Sequence, residues 1–377
     1  MNSRQRNEVR EPLIHLTKRA STSPARAWTI RVIAILLGLL VCGIAAFILI
    51  EKLQQNPGKI GDFYYTFIRG SFSTNRKLWK FLKNTAILLC ISLALTPAFR
   101  MRFWNIGGEG QTLIGVLSAI AVDFYLGGKI PEPLLLLLML LAALAGGAVW
   151  GLIPALFRAR WNTNETLFTL MMNYVATYLV SFCLVIWVPN GSSSLGKLKT
   201  GKLPALGNEY LLIILTVLVL TILLYIYLTR TEHGYEISVV GESVRTARYI
   251  GINERKVIMR TMLLSGALCG LAGYLIAAGL DQTVTTESVA GRGFTGIMVA
   301  WLGKFNPLEM VATAGLVQLL DQGASQISQD FDVSGAFPNV IVGLILFFVI
   351  ASEFFINYQV HFRKKEKKAA EAGGVIG

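Results

Sequence analysis

Apolar runs of about 20 residues, broken by short polar stretches, dominate the chain. They fall at 29–50, 79–99, 105–126, 133–156, 166–188, 210–229, 261–280, 294–305, 307–322 and 337–357. A helix rises 1.5 Å per residue and bilayer hydrocarbon is about 30 Å thick, so runs of this length predict membrane spans. The expected fold is all-α: a polytopic membrane bundle of about ten spans. The eighth and ninth runs are short and are split at Asn306-Pro307, where a proline breaks the backbone ladder; they are expected to be broken half-helices lining a cavity. The first run is too long for a signal peptide and has no small-residue cleavage site before Glu51. The 189–209 connection, rich in Gly, Ser, Lys and Pro, reads as exposed.

Composition agrees with lipid as the solvent. Of 377 residues, 54% are hydrophobic and 15% charged, with a mean hydropathy of +0.56; soluble domains carry about 25% charge. The net charge of +13 is concentrated at the flanks. Arg4, Arg6, Arg10, Lys18, Arg19 and Arg26 precede the first run, and Arg363, Lys364, Lys365, Lys367 and Lys368 follow the last. An even number of spans with basic flanks places both termini in the cytoplasm. The organisation is then a basic tail (1–28), a transmembrane domain (29–357) with a cytoplasmic loop at 230–260, and a second basic tail (358–377). Loop 51–83 is basic although this topology puts it outside; within it, Asp62 to Phe72 has aromatics at helical spacing and fits an interfacial segment. No folded basic domain is present, which argues against nucleic acid as a partner.

Chemistry is sparse. None of the Gly-Lys pairs is followed by Ser or Thr, so the chain has no phosphate-binding loop. His15, His233 and His361 are scattered, and Cys42, Cys90, Cys183 and Cys269 lie inside apolar runs without metal-ligand spacing. A covalent catalyst is not expected, nor is a cofactor bound by this chain.

Polar groups at membrane depth are costly and are functional candidates. Asn105-Ile-Gly-Gly-Glu109-Gly-Gln111 opens the third span among glycines that permit non-helical backbone. Glu109 is expected to serve the pathway or a gate, the alternative being to cap its own helix. Asn173, beside Tyr174 in mid-span, fits helix–helix bonding or substrate contact equally. Asn162 to Glu165 read as capping residues. Asp123, Asp281, Asp321 and Glu287 lie near span ends and are expected to be solvated. A second Gly-rich stretch, Gly291-Arg-Gly-Phe-Thr-Gly296, fits a counterpart of the first in a related half of the chain.

The 230–260 loop centres on Glu242 to Gly251. Val240, Val244 and Ala247 share one helical face, and Gly251 fits a C-terminal stop. Such a helix suits a rigid knob for a partner's groove, or an interfacial helix on lipid; periodicity fits both.

Four segments together resemble a known family: 103–111; Asn164-Glu165 through Asn173-Tyr174; Ala247 to Asn253 through Leu264 to Gly273; and Gly293 to Gly303. They are similar, in family order, to permeases of ATP-binding-cassette (ABC) importers for nucleosides and simple sugars, relatives of the branched-chain amino-acid permeases. Trp161 and Trp301 depart from the family pattern. The resemblance implies a multi-pass permease of the bacterial cytoplasmic membrane. Its partners would be two ATP-binding subunits, which use the ATP, a second permease chain and an extracellular substrate-binding lipoprotein. It also implies that Glu242, Val244, Ala247, Arg248 and Gly251 form the coupling helix. Asn105, Glu109, Gln111, Asn173 and Tyr174 are then the candidate substrate pathway, for nucleosides of the purine type first and simple sugars second. An ion-coupled carrier is the rival mechanism, with Glu109 as its ion site.

Overall fold

The computed structural model describes residues 14–19, 23–50, 58, 60–188, 194–333 and 336–362. The basic residues expected before Ile14 and after Phe362, with Lys52 and Lys59, lie outside the described residues. In chain order the elements are β1 (Ile14–Lys18), α1 (Pro24–Leu49), α2 (Ile60–Arg69), α3 (Asn75–Arg100), α4 (Gly108–Leu126), α5 (Glu132–Trp161) and α6 (Glu165–Trp187). They continue with α7 (Leu211–Arg230), α8 (Glu232–Glu242), α9 (Val244–Tyr249), α10 (Glu254–Ile276) and a π-helical turn (Ala277–Asp281). The last are α11 (Arg292–Leu302), α12 (Pro307–Asp330), α13 (Phe337–Asn357) and β2 (Tyr358–Phe362). Each of the ten apolar runs falls on a helix. Seven of these helices (α1, α3, α5, α6, α7, α10 and α13) are long and apolar enough to cross a membrane.

The described residues fall into two compact units. The first comprises Met1–Tyr64 with Ile327–Gly377. In it α1 packs against α13: Cys42 Sγ donates to the Ile341 carbonyl at 3.7 Å, and Arg31 pairs with Glu353 at 2.6 Å. Tyr64 donates its hydroxyl to the Leu39 carbonyl at 3.0 Å, over Gly43. β1 and β2 form an antiparallel ladder, Ile14 opposite Phe362 through Lys18 opposite Tyr358. The all-α expectation misses this ladder. Its signal is the period-two alternation of Ile14-His-Leu-Thr-Lys18 and Tyr358-Gln-Val-His-Phe362, the pattern of a strand with one apolar face.

The second unit, Tyr65–Gln326, is built around α3, in which every residue from Ala86 to Phe99 is buried. α10 packs against α3, α4 and α5. Lipid-like surroundings give helices little hydrophobic reason to associate, so close backbone approach through small residues carries the packing. On α10, a Cβ at Gly270 would lie 2.1 Å from the Ala143 carbonyl oxygen of α5, and one at Gly266 would lie 2.3 Å from that of Gly147. Outward faces stay apolar and exposed, as at Val219, Ile222 and Leu223 on α7.

Two irregularities shape the interior. α11 has eleven residues, a rise of about 16 Å that covers half of the hydrocarbon. Lys304 and Phe305, both at positive φ, end it, and Asn306 Oδ1 accepts from the Leu308 N–H to start α12 at Pro307. On the opposite side, the 194–209 segment is tied down in several places. Leu203 N–H donates to the Ala278 carbonyl, Gly201 N–H to Glu132 Oε1 at 2.7 Å, and Thr200 to Asp123. Asp123 is therefore buried, 3% exposed, rather than solvated. Its pairing with Thr200 replaces the water that sequence position alone suggests.

Candidate functional site

The chain between α3 and α4 turns inside the bundle. It is fixed there by amide side chains that replace a backbone ladder. Asn105 is 0% exposed. Its Nδ2 donates to Gln111 Oε1 at 3.2 Å and Ser265 Oγ at 3.3 Å. Its Oδ1 accepts from Gln111 Nε2 and from the Gly107 N–H, each at 3.1 Å. On α6, Asn173 Oδ1 accepts from the Gly110 N–H at 2.8 Å and its Nδ2 donates to the Ile106 carbonyl at 3.0 Å. Thr169 accepts from the Ile106 N–H at 3.2 Å and donates to the Glu165 carbonyl at 2.7 Å. Asn105, Gln111 and Asn173 are thus brought together and turned toward backbone and toward one another. Buried polar groups left unpaired cost about 1–3 kcal/mol each, which accounts for the closure of this knot. Tyr174, one residue on along α6, points away from the knot and is 58% exposed.

Glu109 caps a helix, though not its own. Oε1 accepts from the Gly291 N–H at 2.8 Å and Oε2 from the Gly293 N–H at 2.7 Å, at the N-terminus of α11. Free N–H groups and the positive end of the helix dipole make that terminus a natural carboxylate seat. The approach requires glycine. Gly291 lies at φ +74°, and a Cβ on Gly293 would meet Glu109 N at 2.4 Å. The two Gly-rich stretches are therefore partners in space.

The loop between α7 and α10 forms two helices where one was expected. Ser243 is extended (φ −157°, ψ 113°), and its hydroxyl accepts from the Thr246 N–H at 3.2 Å. That side-chain cap competes with a continuing helix and splits α8 from α9. Gly251, at φ +85°, ends the segment, with the Ile252 N–H bonded to the Ala247 carbonyl at 2.9 Å. Val240 and Ala247 are buried, while Val244 is 41% and Tyr249 92% exposed; Glu242 is exposed, and Arg248 pairs with Glu254. α8 rests on the end of α3, since a Cβ on Gly241 would fall 2.2 Å from the Arg100 carbonyl oxygen. A hollow of about 210 Å³ between Met101–Phe103 and Val240–Val244 adjoins this contact. Four residues of chain separate that end from Asn105, so the α8–α9 element and the amide knot share one short stretch.

The α5–α6 turn behaves as its sequence suggests. Asn162 takes the left-handed conformation, and Asn164 Oδ1 caps α6 through the Leu167 N–H at 3.1 Å. Thr169 and Ser265 escape notice in the sequence because hydroxyls are common in spans; their signal is an inward face shared with small residues.

A bundle of apolar helices enclosing a half-helix seated on an internal carboxylate fits a membrane transport protein. The family comparison agrees. Residues 78–350 match the model of the permease component of branched-chain amino acid transport systems, and the chain belongs to that family. Its members are transport components rather than enzymes. Three curated relatives are each 28% identical. A glucose ABC transporter permease of Haloferax volcanii aligns over 365 residues, 92% of this chain and 93% of the relative. A guanosine ABC transporter permease of Bacillus subtilis aligns over 338, covering 87% and 95%. A nucleoside ABC transporter permease of Lactococcus lactis aligns over 358, covering 90% and 94%. No solved structure matches the chain.

Proposed function

We propose that the chain is the transmembrane subunit of an ABC importer that carries nucleosides, purine nucleosides first, across a bacterial cytoplasmic membrane. The guanosine and nucleoside permeases, aligned along nearly the whole chain, support that substrate class. The observation that carries the mechanism is the α8–α9 element. It presents Val244, Tyr249 and Ile250 outward on a rigid, capped turn and rests through Gly241 on the end of α3. Such a knob fits a groove on an ATP-binding subunit.

In this reading the ten helices cross or enter the membrane with both termini and α8–α9 in the cytoplasm. Two ATP-binding subunits, which consume the ATP, a second permease chain and an extracellular binding lipoprotein complete the transporter. Closure of the ATP-binding pair moves α9, and the motion passes through Gly241 and Arg100 to the Asn105 loop. From there it reaches α4 and, through Glu109, the half-helix α11. Asn105, whose two donor and two acceptor positions are all engaged, acts as the frame of the pathway; Gln111 and Asn173, each with one donor and one acceptor position engaged, hold the loop beside it. Ala247 anchors α9 from within, whereas Val244 and Arg248 face the partner. A glucose permease at the same identity supports simple sugars as the second reading.

Purification of the tagged chain from native membranes, followed by uptake of labelled nucleosides and sugars, tests this reading. An ATP-binding subunit should co-purify and be lost in Val244→Asp, and nucleosides should outcompete sugars. A chain that purifies alone and still transports overturns it.

A further inference from the structure

A second pocket, of about 360 Å³, opens where α3 and α11 end. Four aromatic rings build one side. Phe99 stacks on Phe305 at 5.8 Å, and Trp104 lies 5.7 Å from Trp301, with both indoles about half exposed. Arg100, Arg102 and Lys304 complete the lining, and no carboxylate contributes to it. Among the described residues none of these three cations forms an ion pair. What distinguishes the pocket is that its three cations share one lining with four aromatic rings. The apolar runs that carry α3 and α11 stop at Phe99 and Phe305, and the proposed membrane placement puts the pocket where hydrocarbon gives way to headgroups. Indoles favour that depth, and basic pockets there attract anionic lipid.

We propose that this pocket seats the phosphate headgroup of an anionic phospholipid, whose acyl chains run along the exposed faces of Trp104 and Trp301. Three cations with no carboxylate in the pocket favour an anion over a neutral ligand such as a nucleoside; Glu165 and Glu242 line the adjoining hollow, which Arg102 also borders. Arg102 also borders the hollow beside α8, so the occupied pocket would brace the loop on which the coupling element rests. This inference is independent of the transported substrate.

The test uses the full-length chain with its co-purifying subunits, stripped of lipid in a neutral detergent. Bound lipid is read by native mass spectrometry after adding phosphatidylglycerol or phosphatidylcholine. Arg102 and Lys304 are exposed, so Arg102→Gln with Lys304→Gln removes charge without opening the core. Each cation near an anionic surface is worth about fivefold in affinity, and the double variant is expected to lose phosphatidylglycerol by about 25-fold. The charge-conserving pair Arg102→Lys with Lys304→Arg should bind as the parent does. Unchanged phosphatidylglycerol binding in the double Gln variant overturns the proposal. Equal retention of phosphatidylcholine does so too, as does displacement of the lipid by millimolar inorganic phosphate, which would mark a free-phosphate site. So does loss of the ATP-binding subunit with lipid retention unchanged, which would assign the cations to a protein partner.

Discussion

The Asn105–Gln111 knot and the Ser243–Gly251 segment are both polar stretches in an apolar chain, and the fold treats them in opposite ways. In the knot every amide is turned inward and paired, with Asn105 wholly buried. In the segment only Ala247 is buried, and apolar as well as charged side chains face outward. Burial sets the difference. An unpaired amide in a dry interior costs several times what it costs at a wet surface, so the interior tolerates polar residues only as closed sets. Asn105 has all four of its hydrogen-bonding positions engaged, whereas Gln111 and Asn173 each have one donor and one acceptor position engaged. The knot closes largely on itself, and the segment leaves its side chains at the surface. Four residues between Arg100 and Asn105 connect the two.

Breaking the knot gives the largest expected effect. Asn105→Leu leaves the Gly107 N–H and both ends of the Gln111 amide without their partner, at about 1–3 kcal/mol for each buried group. A destabilisation of roughly 3 kcal/mol is expected, read as a fall in thermal stability in detergent and a loss of assembled complex. An Asn105→Leu protein as stable as the parent would show that the knot is not what holds the loop.

Glu109 lies between the two regimes, being internal yet serving a segment that has to move. Glu109→Gln keeps one acceptor but turns an NH₂ toward the Gly291 or Gly293 N–H. The expected loss is about 1–2 kcal/mol at the α11 N-terminus, less than for the knot. Uptake should fall in part while remaining dependent on ATP and indifferent to dissipation of the proton gradient. Abolished uptake together with proton dependence in the parent would return Glu109 to the role of ion site.

The sequence makes the knot's composition visible but not its wiring. Asn105, Gln111 and Asn173 stand out as amides at membrane depth, whereas Thr169 and Ser265, which complete the set, look like ordinary span residues. Their roles depend on α6 and α10 meeting the α3–α4 loop, contacts between positions 63 and 160 residues apart. Glu109 was legible as costly and not as a cap for α11, because the two Gly-rich stretches are joined only in three dimensions. The ten runs mark ten helices because hydropathy is a local signal. The break at Ser243 is also local, a side-chain cap that hydrophobic periodicity does not register. The β1–β2 ladder was missed for a related reason: its strands lie in polar flanks, where a membrane reading looks for charge rather than alternation.

At the other end of the comparison, the smallest effect on stability should go with the largest selective effect on partnership. Tyr249 is 92% exposed and caps nothing, so Tyr249→Ser removes outward apolar surface and leaves the Ser243 cap, the Ala247 anchor and the Gly251 turn in place. Surface substitutions of this kind stay within about 0.5 kcal/mol of the parent. Thermal stability of the isolated chain should not change measurably. Retention of the ATP-binding subunit on a tagged chain should drop about tenfold, the order expected for an aromatic anchor worth about 1–2 kcal/mol at an interface. Purification of the variant beside Asn105→Leu separates the two regions directly. If Tyr249→Ser lost stability and partner together, α9 would belong to the frame as well; if it lost neither, the outward face of α9 would not be the docking surface.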